Sequence, residues 1–288
     1  MFSASAIKDW RRCAWRSIAP PSIPGKILPS DCGRTPILSG VALRSGVDRL
    51  QAAHARIIVA LDVARALQAE QLVKRLGARP GLVKVGSQLF TAEGPRIIRR
   101  LVKAGHRVFL DLKFHDIPHI VAEACANAAQ MGASLITVHA SGGPRMLRAA
   151  CAALQKFPAR RRPRLLGVTV LTSLDGAELK RVGFPGSVQH NVVRLARLAQ
   201  RSGCDGVIAA PTDVKALRRA CGRDFLIVTP GIRAAGQRRA SDQARVATAV
   251  EAIRAGADYV VVGRAITGAR SPARALQVMA DSIAAALD

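Results

Sequence analysis

From residue 56 onward the chain repeats one pattern: a short run of Val, Ile, Leu and Ala, then a longer stretch with apolar residues three or four apart. The short runs fall at 56–61, 82–86, 107–112, 135–139, 165–170, 206–209, 225–229 and 259–262. The longer stretches fall near 65–77, 94–104, 118–131, 144–156, 188–202, 212–221, 243–255 and 272–287. Continuous apolar runs are what strands covered on both faces require, and the three-to-four spacing gives one apolar stripe on a helix. Strict alternation lets each helix carry the chain back, so that successive strands run parallel. Eight such units in about 230 residues predict an α/β fold of the closed (β/α)8 barrel kind rather than an open doubly wound sheet. No GxGxxG follows the first run, which also counts against a dinucleotide-binding fold.

The core of such a barrel has to be aliphatic, because 49% of the chain is hydrophobic but only 3% is aromatic. No apolar run reaches the roughly 18 residues of a membrane helix, and the first thirty residues lack the continuous apolar segment of a secretory signal. The expected location is the cytoplasm. The six cysteines, Cys13, Cys32, Cys125, Cys151, Cys204 and Cys221, show no metal-ligand spacing, which predicts reduced, mostly buried thiols and no metal site.

Residues 1–52 differ from the rest. They hold prolines at 20, 21, 24, 29 and 36, both tryptophans and no sustained periodicity. We read them as a basic extension without regular structure, preceding a catalytic domain over 53–288. A transit peptide and an untranslated stretch, with Val41 or Val47 as the start, are the other readings. The formal charge of +25 is not confined there, since residues 1–50 hold 8 of the 44 basic and 3 of the 19 acidic residues. A nucleic-acid partner lacks both a recognisable motif and aromatics for base stacking. An anionic small-molecule substrate and a solvated basic surface account for the charge, with no nucleic acid and no membrane as partners.

Polar residues gather where a barrel enzyme needs them. Asp62, Lys84, Asp111, Lys113, His139, Thr172, Pro230 and Arg264 all sit at or just after the C-terminal ends of the expected strands, the face that carries barrel active sites. In FLDLKFHDIP (109–118), Asp111 and Lys113 fall two apart on a strand and so share a face. Lys84 lies in a similar strand, and Asp116 follows just before a helix opened by Pro118. Lysines and carboxylates converging at strand ends are costly to desolvate unless paired, so such an array points to chemistry. Arg264 after Gly263 offers a fork for phosphate oxygens, with room for close backbone approach. Asp62 also has a plain structural reading as the N-cap of the next helix, and His139 as a core residue at a strand end. His115 and His119 read as exposed.

Seven blocks in this order, IIVALD (57–62), LVKVG (82–86), FLDLKFHDIP (109–118), TVHASGG (137–143), GVTVLTS (167–173), VTPGIR (228–233) and VVGRAIT (261–267), resemble the bacterial orotidine 5′-phosphate decarboxylases over about residues 56–286. The resemblance implies cofactor-independent decarboxylation of orotidine 5′-phosphate to UMP, the last step of de novo pyrimidine synthesis. It makes Lys113 the proton donor in a tetrad of Lys84, Asp111, Lys113 and Asp116. It implies a homodimer in which Asp116 completes the neighbouring site. It places Asp62 and Lys84 on the ribose and Thr172 on the pyrimidine edge. Arg233, Gln243, Gly263 and Arg264 become further substrate-binding positions, with Gln243 in a loop after Pro230 that resembles the family's lid.

Four positions depart from the family pattern, His119 among them, where asparagine is usual. Ile120 stands where a threonine usually contacts ribose from the partner subunit, Ala234 where proline is usual, and Ser241 where glycine is usual. We expect a weakened ribose contact and an intact reaction. The rival readings are a Mg²⁺-dependent relative such as hexulose-phosphate synthase or keto-gulonate-phosphate decarboxylase, a Schiff-base aldolase, and an inactive nucleic-acid-binding barrel. The Mg²⁺ enzymes typically carry Glu at the position of Lys84, whose charge repels a metal.

Overall fold

The computed structural model describes residues 46–77, 80–233 and 245–287. Eight parallel strands close into a barrel: β1 (Ile57–Ala60), β2 (Leu82–Gly86), β3 (Val108–Phe114), β4 (Ala133–His139), β5 (Arg164–Val168), β6 (Gly206–Ile208), β7 (Leu226–Thr229) and β8 (Tyr259–Val262). Each pairs with its sequence neighbour, and β8 closes the ring on β1 through Ile57↔Val260, Ile58↔Val261 and Val59↔Val262. All eight predicted strands are present, in the predicted closed arrangement.

Strand alternation divides the core in two. Ile58, Ala60, Leu82, Phe109, Leu135, Leu166, Val168, Ile208, Val228 and Val261 point inward and fill the barrel. The residues between them, such as Ile57, Val59, Val83, Leu110 and Ile136, point outward against the helices. Phe109 is the bulkiest fully buried inward side chain, and with the partly buried Tyr259 it supplies the aromatics of a barrel otherwise filled by aliphatic groups. Gly206 is a glycine for want of space, since a Cβ there would lie 2.3 Å from the Leu226 carbonyl oxygen.

The outer layer comprises α1 (Gly46–Ala55), α2 (Ala66–Leu76), α3 (Ser87–Glu93), α4 (Pro95–Lys103), α5 (Pro118–Gln130), α6 (Gly143–Gln155), α7 (Gly176–Arg181), α8 (Val188–Arg201), α9 (Val214–Cys221), α10 (Ala249–Arg254), α11 (Arg264–Thr267) and α12 (Pro272–Ala284). Pro95, Pro118, Pro144 and Pro272 open helices at positions where a missing N–H costs nothing. Among the described residues, no helix is long and apolar enough to cross a membrane.

Several expectations need correction. Helix α1 runs across the expected boundary at 52/53, so residues 46–52 belong with the folded part. Ala52 and Ala53 are buried, Leu50 packs on the core, and α1 lies against α12. The rest of the N-terminal extension lies outside the described residues, as do Cys13 and Cys32. The stretch expected as one helix near 94–104 is preceded by a separate helix, α3, with Gly94 at φ 64° between the two. Helix α10 begins at Ala249 rather than near 243, because Ala247–Thr248 pair instead with Ile232–Arg233 as a short parallel ladder. The four described cysteines, Cys125, Cys151, Cys204 and Cys221, are free and buried, as expected.

Candidate active site

The strands' C-terminal ends open into a cleft of about 800 Å³. Its floor is the top of the barrel core, with Ala60, Phe109, Val168 and Ile208. Asp62, Lys84, Asp111 and Lys113 line one side. Thr172, Arg233, Gly263 and Arg264 line the rest. The sequence-predicted candidates are therefore brought together, with two exceptions. Gln243 lies outside the described residues, along with Ala234 and Ser241. Asp116 is exposed on the loop after β3 and is not among the residues lining this chain's cleft; its Oδ1 accepts a hydrogen bond from the Ile117 amide at 2.6 Å.

The charged cluster is continuous. Lys84 Nζ donates to Asp62 Oδ1 at 2.9 Å and stands 3.9 Å from Asp111 Oδ2. Lys113 Nζ donates to the same Asp111 Oδ2 at 2.9 Å. Two ammonium groups and two carboxylates thus alternate, and their formal charges cancel. Lys84 and Asp111 are only 9% and 8% exposed, while the Lys113 and Asp62 side chains retain 34% and 54%. The pairing offsets a desolvation cost of several kcal/mol per buried ion. The two more accessible groups are the ones left to meet a ligand. Asp62 is not a helix cap: α2 is capped at Arg65, whose N–H is met by the Gln68 side chain.

How Asp111 and Lys113 converge departs from simple strand alternation. Between Leu110↔Ile136 and Phe114↔Val138, β3 spends four residues where β4 spends two. The intervening residues bulge at the cleft, and Lys113 sits at φ 51°, the one described non-glycine residue in the left-handed region. Such a conformation costs about 1–3 kcal/mol and persists only where surroundings enforce it. Thr137 does so. Its hydroxyl donates to Asp111 Oδ1 at 2.9 Å and accepts the Lys113 backbone N–H at 3.0 Å. Thr137 is fully buried and was not singled out from the sequence, although it opens one of the seven blocks.

Gly86 supplies the space for the lysine bridge, because a Cβ there would lie 2.9 Å from Lys84 Nζ and 3.5 Å from Asp62 Oδ1. His139, at the end of β4, is half-buried and its ring lies 5.3 Å from that of the exposed His115. Burial lowers the His139 pKa, and the neighbouring His115 and Lys113 lower it further, so the ring is held neutral near pH 7.

This geometry can hold a ligand whose anionic end meets two arginines on one wall, with a charge-balanced cluster and the Lys113 ammonium, poised to give up a proton, on the other. A metal ion has no ready place in the cluster, because Lys84 Nζ stands between the Asp62 and Asp111 carboxylates that would otherwise supply ligands. Among the described residues, no group of three or more His, Cys, Asp or Glu side chains is arranged to hold one.

Comparison with known proteins agrees over the same span. The family model described as orotidine 5′-phosphate decarboxylase / HUMPS family matches residues 55–279. An orotidine 5′-phosphate decarboxylase of Trichlorobacter lovleyi is 46% identical over 231 residues, covering 80% of this chain and 95% of the relative. Another, from Moorella thermoacetica, is 48% identical over 232 residues, covering 79% and 92%. The crystal structure of orotidine 5′-phosphate decarboxylase from Lactobacillus acidophilus superposes with a TM-score of 0.71 at 38% identity, covering 79% of this chain and 98% of that one. On fold, cleft and sequence together, the chain belongs to the orotidine 5′-phosphate decarboxylase / HUMPS family.

Proposed function

We propose that the chain decarboxylates orotidine 5′-phosphate to UMP and CO₂ in the cytoplasm, without a metal or organic cofactor, as the last step of de novo UMP synthesis. The observation that carries this reading is the Lys84–Asp111–Lys113 array, in which a lysine lies within reach of both carboxylates. The Mg²⁺-dependent branch of the family would need a metal where that ammonium stands.

In the proposed reaction the bond from the pyrimidine ring to its carboxylate breaks, CO₂ leaves, and the electron pair stays on the ring carbon. Lys113 stabilises that charge and then protonates the carbon. Asp111 holds Lys113 protonated and aimed, through the 2.9 Å hydrogen bond. Lys84 and Asp62 take the ribose hydroxyls. Thr172 takes the pyrimidine edge, and Arg233, Gln243 and Arg264 with the Gly263 backbone take the phosphate. At Gly263 a Cβ would meet only Ala60, at 3.9 Å, so the glycine leaves open space toward the cleft. Binding energy at the phosphate then serves the transition state at the far end of the substrate.

Asp116 enters this scheme from a partner subunit. Support comes from its exposure outside its own cleft, beside Ile117 and Ile120, which are 64% and 47% exposed. An apolar pair flanking a carboxylate suits a subunit interface. Ile120, lacking a hydroxyl, gives the ribose no hydrogen bond across it.

The substrate test is direct. The protein should consume orotidine 5′-phosphate in EDTA and leave hexulose phosphate with Mg²⁺ untouched, by absorbance and coupled sugar assays. The reverse result would assign the chain to the Mg²⁺ branch.

A further inference from the structure

We propose that Arg245 is a positioning residue that locks together the pyrimidine-side and phosphate-side walls of the cleft. Its guanidinium fork spans two elements at once. Nη1 pairs with Asp213 Oδ2 at 2.5 Å, and Nη2 donates to the Leu171 carbonyl at 3.2 Å. Asp213 ends the turn Pro211–Asp213 after β6, and Leu171 follows β5 and directly precedes Thr172. Two residues beyond Arg245 the chain enters the ladder Ile232↔Ala247 and Arg233↔Thr248, with the Ala247 N–H donating to the Gly231 carbonyl. One side chain therefore joins the segment that carries Thr172 to the segment that carries Arg233.

The pair is built to hold. The Arg245 and Asp213 side chains are 15% and 5% exposed, so water competes little for the contact. Burial works against the Asp213 charge and Arg245 works for it, so each side chain depends on the other. Arginine is specific here, because only a planar fork reaches a carboxylate and a carbonyl in fixed relation. A lysine keeps the charge but not that geometry. Arg245 is not among the residues lining the cleft and acts through Leu171 and the ladder.

This inference rests on the proposed placement of pyrimidine and phosphate, and its test separates the two. Binding of uridine, ribose 5-phosphate and UMP is measured by calorimetry for the wild type, Arg245→Lys and Asp213→Asn, with thermal midpoints in parallel. Each fragment uses mainly one wall, and UMP needs both walls in register. For Arg245→Lys we expect fragment affinities within about twofold of wild type and UMP affinity lower by roughly tenfold, the size of one lost charge-assisted hydrogen bond. If all three ligands weaken alike, or none does, Arg245 is a stabilising residue and the positioning role is overturned. Should wild type bind UMP no better than either fragment, the functional reading fails and this proposal fails with it.

Discussion

Thr137 shows how much one buried hydroxyl can decide. It holds the Asp111 carboxylate and the Lys113 amide at once, and so maintains a backbone conformation that lysine rarely adopts. Thr137→Val keeps the shape and removes both hydrogen bonds. We predict a fall in kcat of about ten- to a hundredfold, the effect of about 1.5–3 kcal/mol for a hydrogen bond to a charged group, with a much smaller change in KM. Steady-state kinetics check this, and an unchanged kcat would show that the bulge holds itself. Gly86→Ala should cost about tenfold or more in kcat/KM with the fold retained by circular dichroism, because the added methyl meets Lys84 Nζ at 2.9 Å. His139 carries a pH signature. Its folded pKa lies below the unfolded value, so the folded state binds fewer protons, and its contribution is lost as pH falls through that folded value. Urea midpoints at pH 7.5 and 5.5 should differ more for wild type than for His139→Gln. At this scale the sequence exposed the charged residues but not what fixes them. Lys113 carries no glycine or asparagine signal for a positive φ, and Thr137 reads as an ordinary strand residue.

Secondary-structure elements were legible wherever apolar periodicity ran long enough. All eight barrel strands came from runs of Val, Ile and Leu. Helices α7 and α11 span only 6 and 4 residues, too few for a stripe to declare itself. Helix α1 was hidden because two of its buried residues are alanines, which count weakly as an apolar face. The Ile232–Arg233 ladder was invisible for another reason: it depends on pairing between residues fifteen apart, and local pattern carries no information on pairing. Strand β3 concentrates two tasks, with Phe109 filling the barrel and Asp111 and Lys113 at the cleft two and four residues on. Phe109→Ala should destabilise the fold by about 3–5 kcal/mol, the cost of a large cavity in a closed core. Chemical denaturation measures it, and a loss below about 1 kcal/mol would mean that the barrel interior collapses around the gap.

The whole molecule matters because Asp116 is exposed and does not line its own cleft. If the dimer is the working unit, Lys113→Ala and Asp116→Asn chains are each inactive alone. Mixed dimers then regain one intact site, and an equal mixture should recover about a quarter of wild-type activity by random pairing across a two-fold interface. No recovery, from chains shown to exchange subunits, would place Asp116 in its own chain's site rather than its partner's. Ile120→Thr should lower KM severalfold by restoring a ribose contact across the same interface. The net charge of +25 suits capture of an anionic substrate at long range, a role composition alone could suggest but not localise. The central claim is that fixed side-chain charges, with Lys113 as proton donor, perform the decarboxylation unaided. The most direct measurement is the loss of ultraviolet absorbance of orotidine 5′-phosphate in EDTA, for wild type and Lys113→Ala. Rapid decay is expected with wild type, with a loss of at least about a thousandfold in the variant. Comparable decay in both, or decay that requires added metal, would contradict the central claim.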